Sequence, residues 1–492
     1  MDSISPQTTG WDAPEQLLTE RLETLAQASR QQPFDAIVVG GGTAGVTAGL
    51  ALAGRGERVA LLEAGPIALL THAGSSDLRF QGRSTSDIRR PYEYAPVHAQ
   101  TGEPFGMLVG ALGGRAQFWQ GPCPRMQPHE IAAWPVDLDE LDPYYCWIEE
   151  RFRVTSSYGD TRLLRAIATA LGPTGWPVVP LPMAVDTRPV ADGWLSGTIG
   201  NAMSMLLRAG TLTGTARNPC IALGAFVARV LLDASGAARG VAALDRRSAE
   251  DPATQATHEV FAHRVLLAAG AFESVRLAQV SQVPDRSSRL GTAIVDHQFA
   301  ALDAKMVLDG YEPQPFEPAL AHIPSTPERP WQVEVHAPPV REMFLAREDA
   351  RPTGSRPYAA HVRAFAPLRA NAANHVHPLD EDRPGAYRVH LAYSEEDEAG
   401  LEALQEGLRM AARLLGDENA EPEARPPGYS YHEAGGLGMG VSADASVTDP
   451  AGRFWACPNI VACDASAWPT TGATNPHITI AAVSRRNALA PA

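Results

Sequence analysis

A glycine-rich turn near the N-terminus constrains the fold of this chain more than any other feature. Residues 40–45 read Gly-Gly-Gly-Thr-Ala-Gly, directly after an apolar run and before an alanine-rich stretch. A second apolar run follows and ends at Glu63. The order of strand, glycine turn, helix and strand predicts a βαβ unit, and therefore an α/β protein with a parallel sheet.

The same turn predicts a dinucleotide site. Gly40 would permit the tight turn, Gly42 would let the backbone approach a pyrophosphate, and Gly45 would let helix and strand pack closely. The free N–H groups and partial positive charge at the helix N-terminus would bind the phosphates. Glu63, 18 residues beyond Gly45, would accept a hydrogen bond from a ribose hydroxyl and repel a 2′-phosphate. The motif by itself does not choose between FAD and NAD.

Charge and cysteine content narrow the classes of partner. The 492-residue chain carries a formal charge of −15, and such a surface would repel nucleic acid or an anionic membrane. Its five cysteines are odd in number and show no CxxC spacing, so we expect neither a disulfide framework nor a zinc site, and no metal. The N-terminal residues lack the pattern of a signal peptide, and no stretch suits a membrane span. We therefore expect a cytoplasmic protein with structural thiols.

The remaining patterns predict the order of further elements. An N-terminal helix is expected over residues 14–29, where leucines recur at helical spacing. Further helices are expected from about residue 139 and over about 397–415. Strand-like runs are ARVLLDA, RGVAALD, VFAHRVLLAAG, WQVEVHA and YRVHLAYS, and a glycine-rich block occupies 428–487.

Five segments carry a resemblance to a known family. They are Gly113-Gly114-Arg115-Ala116-Gln117-Phe118-Trp119, the run VLLAAGAFES at 265–274, the turn GTAIVDH at 291–297, the run HEAGGLGMG at 432–440, and CDAS at 463–466 with NPH at 475–477. In this order they resemble the flavin-contacting loop and signature motifs of the glucose-methanol-choline (GMC) oxidoreductases. The first segment is more similar to the pyranose-oxidase and C-glycoside-oxidase branch than to the glucose-oxidase branch.

The resemblance implies a two-domain α/β fold. A Rossmann-like FAD-binding domain would comprise residues 34–140, 201–297 and 428–492. A substrate domain built on a mixed or antiparallel sheet would be inserted as residues 141–200 and 298–427. Residues 1–33 would form an N-terminal extension with one helix.

The resemblance also implies catalytic and cofactor-binding residues. His432 takes the position of the family's base, and Asn475, 43 residues later, takes that of a residue that hydrogen-bonds the substrate oxygen. A neutral imidazole suits proton abstraction, and an amide N–H suits a developing alkoxide. The expected FAD-binding residues are Gly40, Gly42, Thr43, Ala44, Gly45, Glu63, Ala64, Gly113, Gly114, Arg115, Phe118, Trp119, Val227, Ala269, Gly270, Asp464, Ala465, Asn475, Pro476 and His477.

Some positions depart from the family pattern. The usual Thr and Arg that follow the histidine are Gly436 and Gly438 here, which removes a positive charge. The histidine that carries covalent flavin in the pyranose-oxidase group is replaced by Phe118, so we expect non-covalent FAD. His477 is expected to line the pocket, and His297 to have a structural role in its turn.

The reaction implied by the resemblance is oxidation of an alcohol by hydride transfer to flavin, with O₂ or another carrier as electron acceptor. A sugar, a glycoside, or an aromatic or polyketide-like alcohol would suit the aromatic and polar candidates of the substrate domain, which are Trp331, His336, Tyr358, His361 and His375. Two alternatives stay open. One is a redox-neutral lyase similar to hydroxynitrile lyases, which keep FAD as structure, and the other is a flavin-binding protein without chemistry. The sequence predicts no oligomeric state.

Overall fold

Most strands and helices are arranged around two large hydrophobic cores. The computed structural model describes residues 19–73, 85–99, 102, 108–187, 198–209, 219–248, 254–311, 317–337, 358–379 and 382–491. The helices are α1 (Leu22–Gln31), α2 (Thr43–Gly54), α3 (Thr85–Arg89), α4 (Leu138–Phe152), α5 (Arg162–Leu171), α6 (Ala202–Arg208), α7 (Ala271–Val280), α8 (Glu395–Leu414) and α9 (His477–Leu489).

The strands fall into one large mixed sheet, one antiparallel sheet and smaller ribbons. They are β1 (Thr19–Glu20), β2 (Phe34–Val39), β3 (Val59–Glu63), β4 (Glu93–Tyr94), β5 (Val97–His98), β6 (Leu108–Val109), β7 (Val154–Thr155), β8 (Val179–Pro180), β9 (Met183–Asp186), β10 (Thr198–Ile199), β11 (Cys220–Leu223), β12 (Ala225–Leu232), β13 (Ala238–Asp245), β14 (Ala256–Leu267), β15 (His297–Met306), β16 (Ala319–Ile323), β17 (Gln332–Ala337), β18 (Tyr358–Pro367), β19 (His375–Pro378), β20 (Tyr387–His390), β21 (Glu423–Arg425), β22 (Arg453–Phe454) and β23 (Cys457–Ala462).

The large sheet contains the predicted βαβ unit. Its strand order is β1-β11-β3-β2-β14-β13-β12, and β23 pairs with β14. The pairs from β1 to β14 and the pair β14–β23 are parallel. Strands β2 and β3 are buried along almost their whole length, as expected for parallel strands covered on both faces. The prediction of strand, helix and strand over residues 34–63 is therefore confirmed.

The N-terminal helix differs from its prediction. It spans Leu22–Gln31, and Leu22 and Leu25 are buried. Thr19 and Glu20 form a strand that pairs in parallel with Ile221 and Ala222, although the pattern predicted helix there. The edge strand β11 offers unpaired backbone groups, and pairing with it overrides the local helical preference. Residues 14–18 of the predicted helix lie outside the described residues.

A second, antiparallel sheet has the strand order β21-β15-β18-β17-β16-β8. Along β17, Val333 and Val335 are buried in a core shared with helices α5 and α8. Because side chains alternate across a strand, Gln332, Glu334 and His336 lie on the opposite face. The predicted strand WQVEVHA and the predicted helix over 397–415 are observed within a few residues of their expected bounds.

The two-domain α/β architecture with a mixed parallel sheet and an inserted antiparallel sheet is confirmed. The exact domain bounds stay a prediction, and the boundary at residue 140 falls within helix α4, whose buried residues pack in the first core. All five cysteines are free thiols. Among the helices described above, none is long and apolar enough to span a membrane.

Candidate active site

A cavity of about 550 Å³ lies at the carboxyl ends of the parallel strands. The residues that follow β2, β3, β14 and β23 line it, among them Gly40, Ala64, Ala269 and Asp464. In open α/β sheets, ligands bind outside the carboxyl ends of the strands, in the crevice between connections that leave to opposite faces of the sheet. The cavity is therefore the expected place for a dinucleotide.

The glycine turn has the geometry of a phosphate-binding loop. Gly40 adopts a φ of +99°, and a Cβ on Gly45 would lie 1.8 Å from the Gly40 carbonyl oxygen. A Cβ on Gly42 would meet none of the described atoms within 4 Å, and Gly42 lines the cavity. Its missing side chain thus leaves room where helix α2 begins, which fits a pyrophosphate at a helix N-terminus.

Glu63, at the end of the neighbouring strand β3, stabilises the turn through hydrogen bonds. Its Oε2 accepts a hydrogen bond from the Gly41 N–H at 2.7 Å, and its Oε1 accepts one from the Gly65 N–H at 2.8 Å. Burial raises the pKa of Glu63, and the backbone donors oppose this rise. The carboxylate therefore fixes the loop from which the predicted ribose contact would be made, and it also lines the cavity.

Arg115 places a positive charge at the cavity. It follows Gly113 and Gly114, which adopt φ values of +99° and +57°, and its guanidinium donates to Glu433 at 2.6 and 3.1 Å. The Glu433 side chain is 4% exposed. The bidentate ion pair joins the loop after β6 to the segment that carries His432.

Asp464 ties together the ends of two parallel strands. Its Oδ2 accepts hydrogen bonds from the Gly270 N–H at 2.9 Å and the Ser274 hydroxyl at 2.6 Å. Its Oδ1 accepts one from the Ser466 N–H at 2.9 Å. Asp464 and Ala465, both predicted to lie beside the flavin, line the cavity.

His432 lines the same cavity, on a loop with a strained residue before it. Tyr431 adopts a φ of +63°, and the His432 N–H donates to Asp296 Oδ1 at 3.1 Å. The His432 ring packs against Phe365, with a centroid distance of 5.2 Å. Burial, with the nearby positive charges, lowers the pKa of His432 well below 6.5, so the imidazole is neutral at working pH.

His297 is in direct contact with His432, a contact the sequence analysis missed when it gave His297 a structural role. The two Nδ1 atoms are 3.0 Å apart, and burial lowers the pKa of His297 to about 3. His297 Nε2 has no hydrogen-bond partner among the described residues. The two histidines meet because the antiparallel bridge between Val295 and Ala434 brings their segments together. The sequence contains one indication of this contact, which is that His297 directly follows Asp296.

Asn475 is held by buried groups on two sides. Its Oδ1 accepts a hydrogen bond from Gln332 Nε2 at 2.7 Å. The preceding loop is fixed by the Glu130 carboxylate, which accepts bonds from the Ala473 N–H at 2.6 Å and the Thr474 N–H at 3.0 Å. Asn475 lines the same cavity as His432.

His477 begins helix α9 and lines the cavity, as expected. Its Nε2 lies 3.0 Å from Thr43 Oγ1, and its ring stacks on Trp119 at a centroid distance of 4.0 Å and an angle of 22°. Burial lowers its pKa to about 3. These contacts join the N-termini of α2 and α9 beside the cavity.

The antiparallel sheet supplies part of the cavity wall. His361, Arg363 and Phe365 alternate along β18 and line the cavity. On the neighbouring strand β17, Glu334 accepts from Arg363 Nε at 2.6 Å and contacts His336 Nε2 at 2.9 Å. Although burial opposes ionisation, these partners lower the pKa of Glu334 to about 2. The sequence analysis named His336 and His361 but missed Arg363 and Phe365, because no strand was predicted over residues 358–367.

The five residues that the sequence analysis named as candidates for substrate contact lie in different places. His361 lines the cavity, whereas His336 does not line it and contacts Glu334 on the same strand. Trp331 packs in the second core, and His375 stacks on another histidine, His390, rather than lining the cavity. The side chain of Tyr358 lies outside the described part of the chain.

Most of the predicted cofactor residues line this cavity. They are Gly40, Gly42, Thr43, Ala44, Glu63, Ala64, Gly114, Arg115, Phe118, Trp119, Val227, Ala269, Gly270, Asp464, Ala465, Asn475, Pro476 and His477. Gly45 and Gly113 do not line it. A Cβ on Gly45 would meet the Gly40 carbonyl oxygen, and the Gly113 N–H donates to the Gly41 carbonyl oxygen at 2.8 Å. No cluster of three or more His, Cys, Asp or Glu side chains suited to a metal occurs within the described ranges.

Comparison with known proteins identifies the class. A family model described as "GMC oxidoreductase" matches residues 370–484, and one described as "FAD binding domain" matches residues 35–96. The 2-methyl-1,2-propanediol dehydrogenase of Mycolicibacterium austroafricanum is 26% identical over 536 aligned positions, which cover 92% of this chain and 94% of that protein.

Two solved structures share the fold. Pyridoxine 4-oxidase from Mesorbium loti has a TM-score of 0.64 at 18% identity, covering 92% of this chain and 98% of that one. A formate oxidase variant from Aspergillus oryzae RIB40 has a TM-score of 0.65 at 14% identity, covering 92% and 97%.

The family models and the relative, together with the fold and the glycine turn at the cavity, indicate an FAD-dependent oxidoreductase. Within that class, the two family models and the relative that matches nearly the whole chain support membership in the GMC oxidoreductase family.

Proposed function

We propose that the protein oxidises a hydroxyl group of a small alcohol, with His432 as the base and Asn475 as the donor to the substrate oxygen. The observation that carries the proposal is that both residues line one cavity with the glycine turn. FAD, when bound, supplies the acceptor for the hydride from the substrate carbon. The relative that matches most of the chain is a diol dehydrogenase, which favours alcohol oxidation over the lyase alternative.

The contact between the two histidines supports a role for His432 Nε2. Because Nδ1 of His432 is engaged with His297 at 3.0 Å, Nε2 is the nitrogen left for the substrate. A proton on Nδ1, donated to His297, leaves Nε2 as an acceptor. His432 would then take the hydroxyl proton at Nε2, while the amide of Asn475 donates to the oxygen on which negative charge develops.

The wall of the cavity supports a ring-shaped substrate with polar substituents. Phe299 and Phe365 stack at a centroid distance of 4.9 Å, and the nearby Arg363 NH1 donates to Gln120 Oε1 at 2.6 Å. Tyr429 and Tyr431 are 39% and 40% exposed and also line the cavity. A sugar or glycoside, and hence the pyranose-oxidase or C-glycoside-oxidase branch, stays our preferred substrate class, with an aromatic alcohol second.

Anaerobic flavin reduction tests the proposal. Purified holoprotein is mixed with glucosides, with 2-methyl-1,2-propanediol and with pyridoxine, and the flavin band near 450 nm is followed. Bleaching by one of these alcohols is the expected result. With a cyanohydrin as an additional substrate, flavin that stays oxidised while aldehyde and cyanide are released together would support the lyase instead. Reoxidation with O₂ or with an artificial dye then identifies the electron acceptor. The cytoplasmic location stays a prediction.

Variants of the two residues separate chemistry from cofactor binding. His432→Ala is expected to abolish flavin reduction while FAD stays bound. Asn475→Ala is expected to slow reduction by about 10²–10³, the usual effect of one lost oxyanion donor. Near-normal reduction in His432→Ala would remove His432 as the base.

A further inference from the structure

Gln332 is a buried residue that touches Asn475 without lining the cavity. It begins strand β17 in the antiparallel sheet and is 0% exposed. Its Nε2 donates to Asn475 Oδ1 at 2.7 Å, and its register partner is Phe365 on the neighbouring strand. The hydrogen bond therefore links the sheet of the predicted substrate domain to the loop that carries Asn475.

This bond decides which end of the Asn475 amide faces the substrate. A carboxamide has one acceptor end and one donor end. Because Gln332 does not line the cavity and binds Oδ1, the Nδ2–H₂ group is the end left for the cavity. The opposite orientation would present a carbonyl oxygen to the developing alkoxide, and two partial negative charges would then repel each other.

We propose that Gln332 is a positioning residue that fixes the Asn475 amide with its N–H groups toward the substrate. The proposal rests on the proposed function of Asn475. Gln332 acts only through Asn475, because it does not line the cavity itself.

The orientation of Gln332 is itself fixed from the other side. His322 Nε2 lies 2.9 Å from Gln332 Oε1, and His322 is 3% exposed. A neutral His322 with its proton on Nε2 donates to Oε1, which leaves Gln332 Nε2 directed at Asn475. In this series of hydrogen bonds, His322 thus donates to Gln332, and Gln332 donates to Asn475.

The backbone of the loop is held independently. Glu130 is 7% exposed and accepts from the Thr474 hydroxyl at 2.8 Å as well as from the two loop N–H groups. Loss of the Gln332 bond should therefore free the amide of Asn475 to rotate without displacing its backbone. A substitution at Gln332 consequently tests amide orientation and not the position of the loop.

A double-mutant cycle in anaerobic stopped-flow tests the proposal with the alcohol that reduces the flavin fastest. Gln332→Met keeps the length of the side chain but cannot donate, and it should lower the limiting rate of flavin reduction by about 10- to 100-fold, less than complete loss of the donor. The apparent dissociation constant of the alcohol should change by less than about threefold. In the Asn475→Ala background, the same substitution should change the rate by less than about twofold.

Val333→Ala is the matched control, because Val333 is the next residue on the strand, fully buried, and packs in the second core. Its rate should stay within about twofold of the wild type, even though removal of buried methyl groups costs stability. If Gln332→Met lowered the rate of flavin reduction equally in the wild type and in Asn475→Ala, or lowered it in neither, the proposal would be overturned.

A second measurement does not depend on turnover. In holoprotein labelled with ¹⁵N-asparagine, the side-chain amide signals of Asn475 are those missing from Asn475→Ala. They should shift or broaden in Gln332→Met and stay unchanged in Val333→Ala. Unchanged signals in Gln332→Met would refute the positioning role. If no alcohol reduces the wild-type flavin, the proposed function fails, and the spectra still decide whether Gln332 orients the amide.

Discussion

Two alanine substitutions in one glycine turn should have opposite effects on folding and on FAD binding. Gly42 and Gly45 lie three residues apart, and both belong to the predicted dinucleotide motif. A Cβ on Gly45 would be 1.8 Å from the Gly40 carbonyl oxygen, whereas a Cβ on Gly42 would meet no described atom within 4 Å. Gly42 has a φ of −73°, which alanine adopts without strain.

The magnitudes follow from these contacts. Gly45→Ala gains about 1 kcal/mol of helix propensity, but overpacking against a backbone oxygen costs about 3 kcal/mol or more because ordinary contacts need over 3 Å. The overlap outweighs the propensity, so the apoprotein should lose about 2 kcal/mol of stability. Gly42→Ala loses at most about 1 kcal/mol as a poorer N-cap. Its methyl group occupies the space expected for a phosphate, and a 100-fold weaker FAD affinity, about 2.7 kcal/mol, is expected.

The assay compares apoprotein stability with FAD affinity. In urea unfolding of the apoproteins, the free energy of unfolding should be lower for Gly45→Ala than for Gly42→Ala. The value for Gly42→Ala should be close to that of the wild type. Titration with FAD, followed by quenching of flavin fluorescence, should show the large loss of affinity for Gly42→Ala. Wild-type FAD content and affinity in Gly42→Ala would refute the placement of the pyrophosphate along this turn.

Three further predictions concern pH and the attachment of the cofactor. Because burial holds the pKa of His432 well below 6.5, flavin reduction should stay level from about pH 8 to pH 6.5 and fall only below that, and an acid limb centred at or above about pH 7 would contradict a buried neutral base. Burial lowers the pKa of both His297 and His477 to about 3 from 6.5. The unfolded chain therefore binds more protons between these values, and the urea midpoint of the apoprotein should fall as pH falls through this window; a midpoint higher at pH 5 than at pH 7.5 would argue against it. Because Phe118 occupies the position that the resemblance to the pyranose-oxidase group assigns to a flavin-linked histidine, acid precipitation is expected to release the yellow chromophore, and a coloured pellet would show a covalent link.

Local sequence determined the features that depend on short-range geometry. The βαβ unit could be predicted because an apolar run, a glycine turn and an alanine-rich helix follow each other directly, and each step needs only neighbouring residues. The strand at 332–337 could be predicted from its alternation of polar and apolar residues. His432 and Asn475 could be chosen from their motifs, and their presence at one cavity agrees with that choice.

Tertiary structure decided which distant groups meet. His297 and His432 are 135 residues apart and touch because an antiparallel bridge joins their segments. Gln332 reaches Asn475 across 143 residues because the inserted sheet turns its polar face toward the cavity. No local pattern encodes these pairings, since hydrogen bonds between side chains depend on how sheets pack, and Thr19 and Glu20 became a strand for the same reason, through an edge that only the folded sheet supplies.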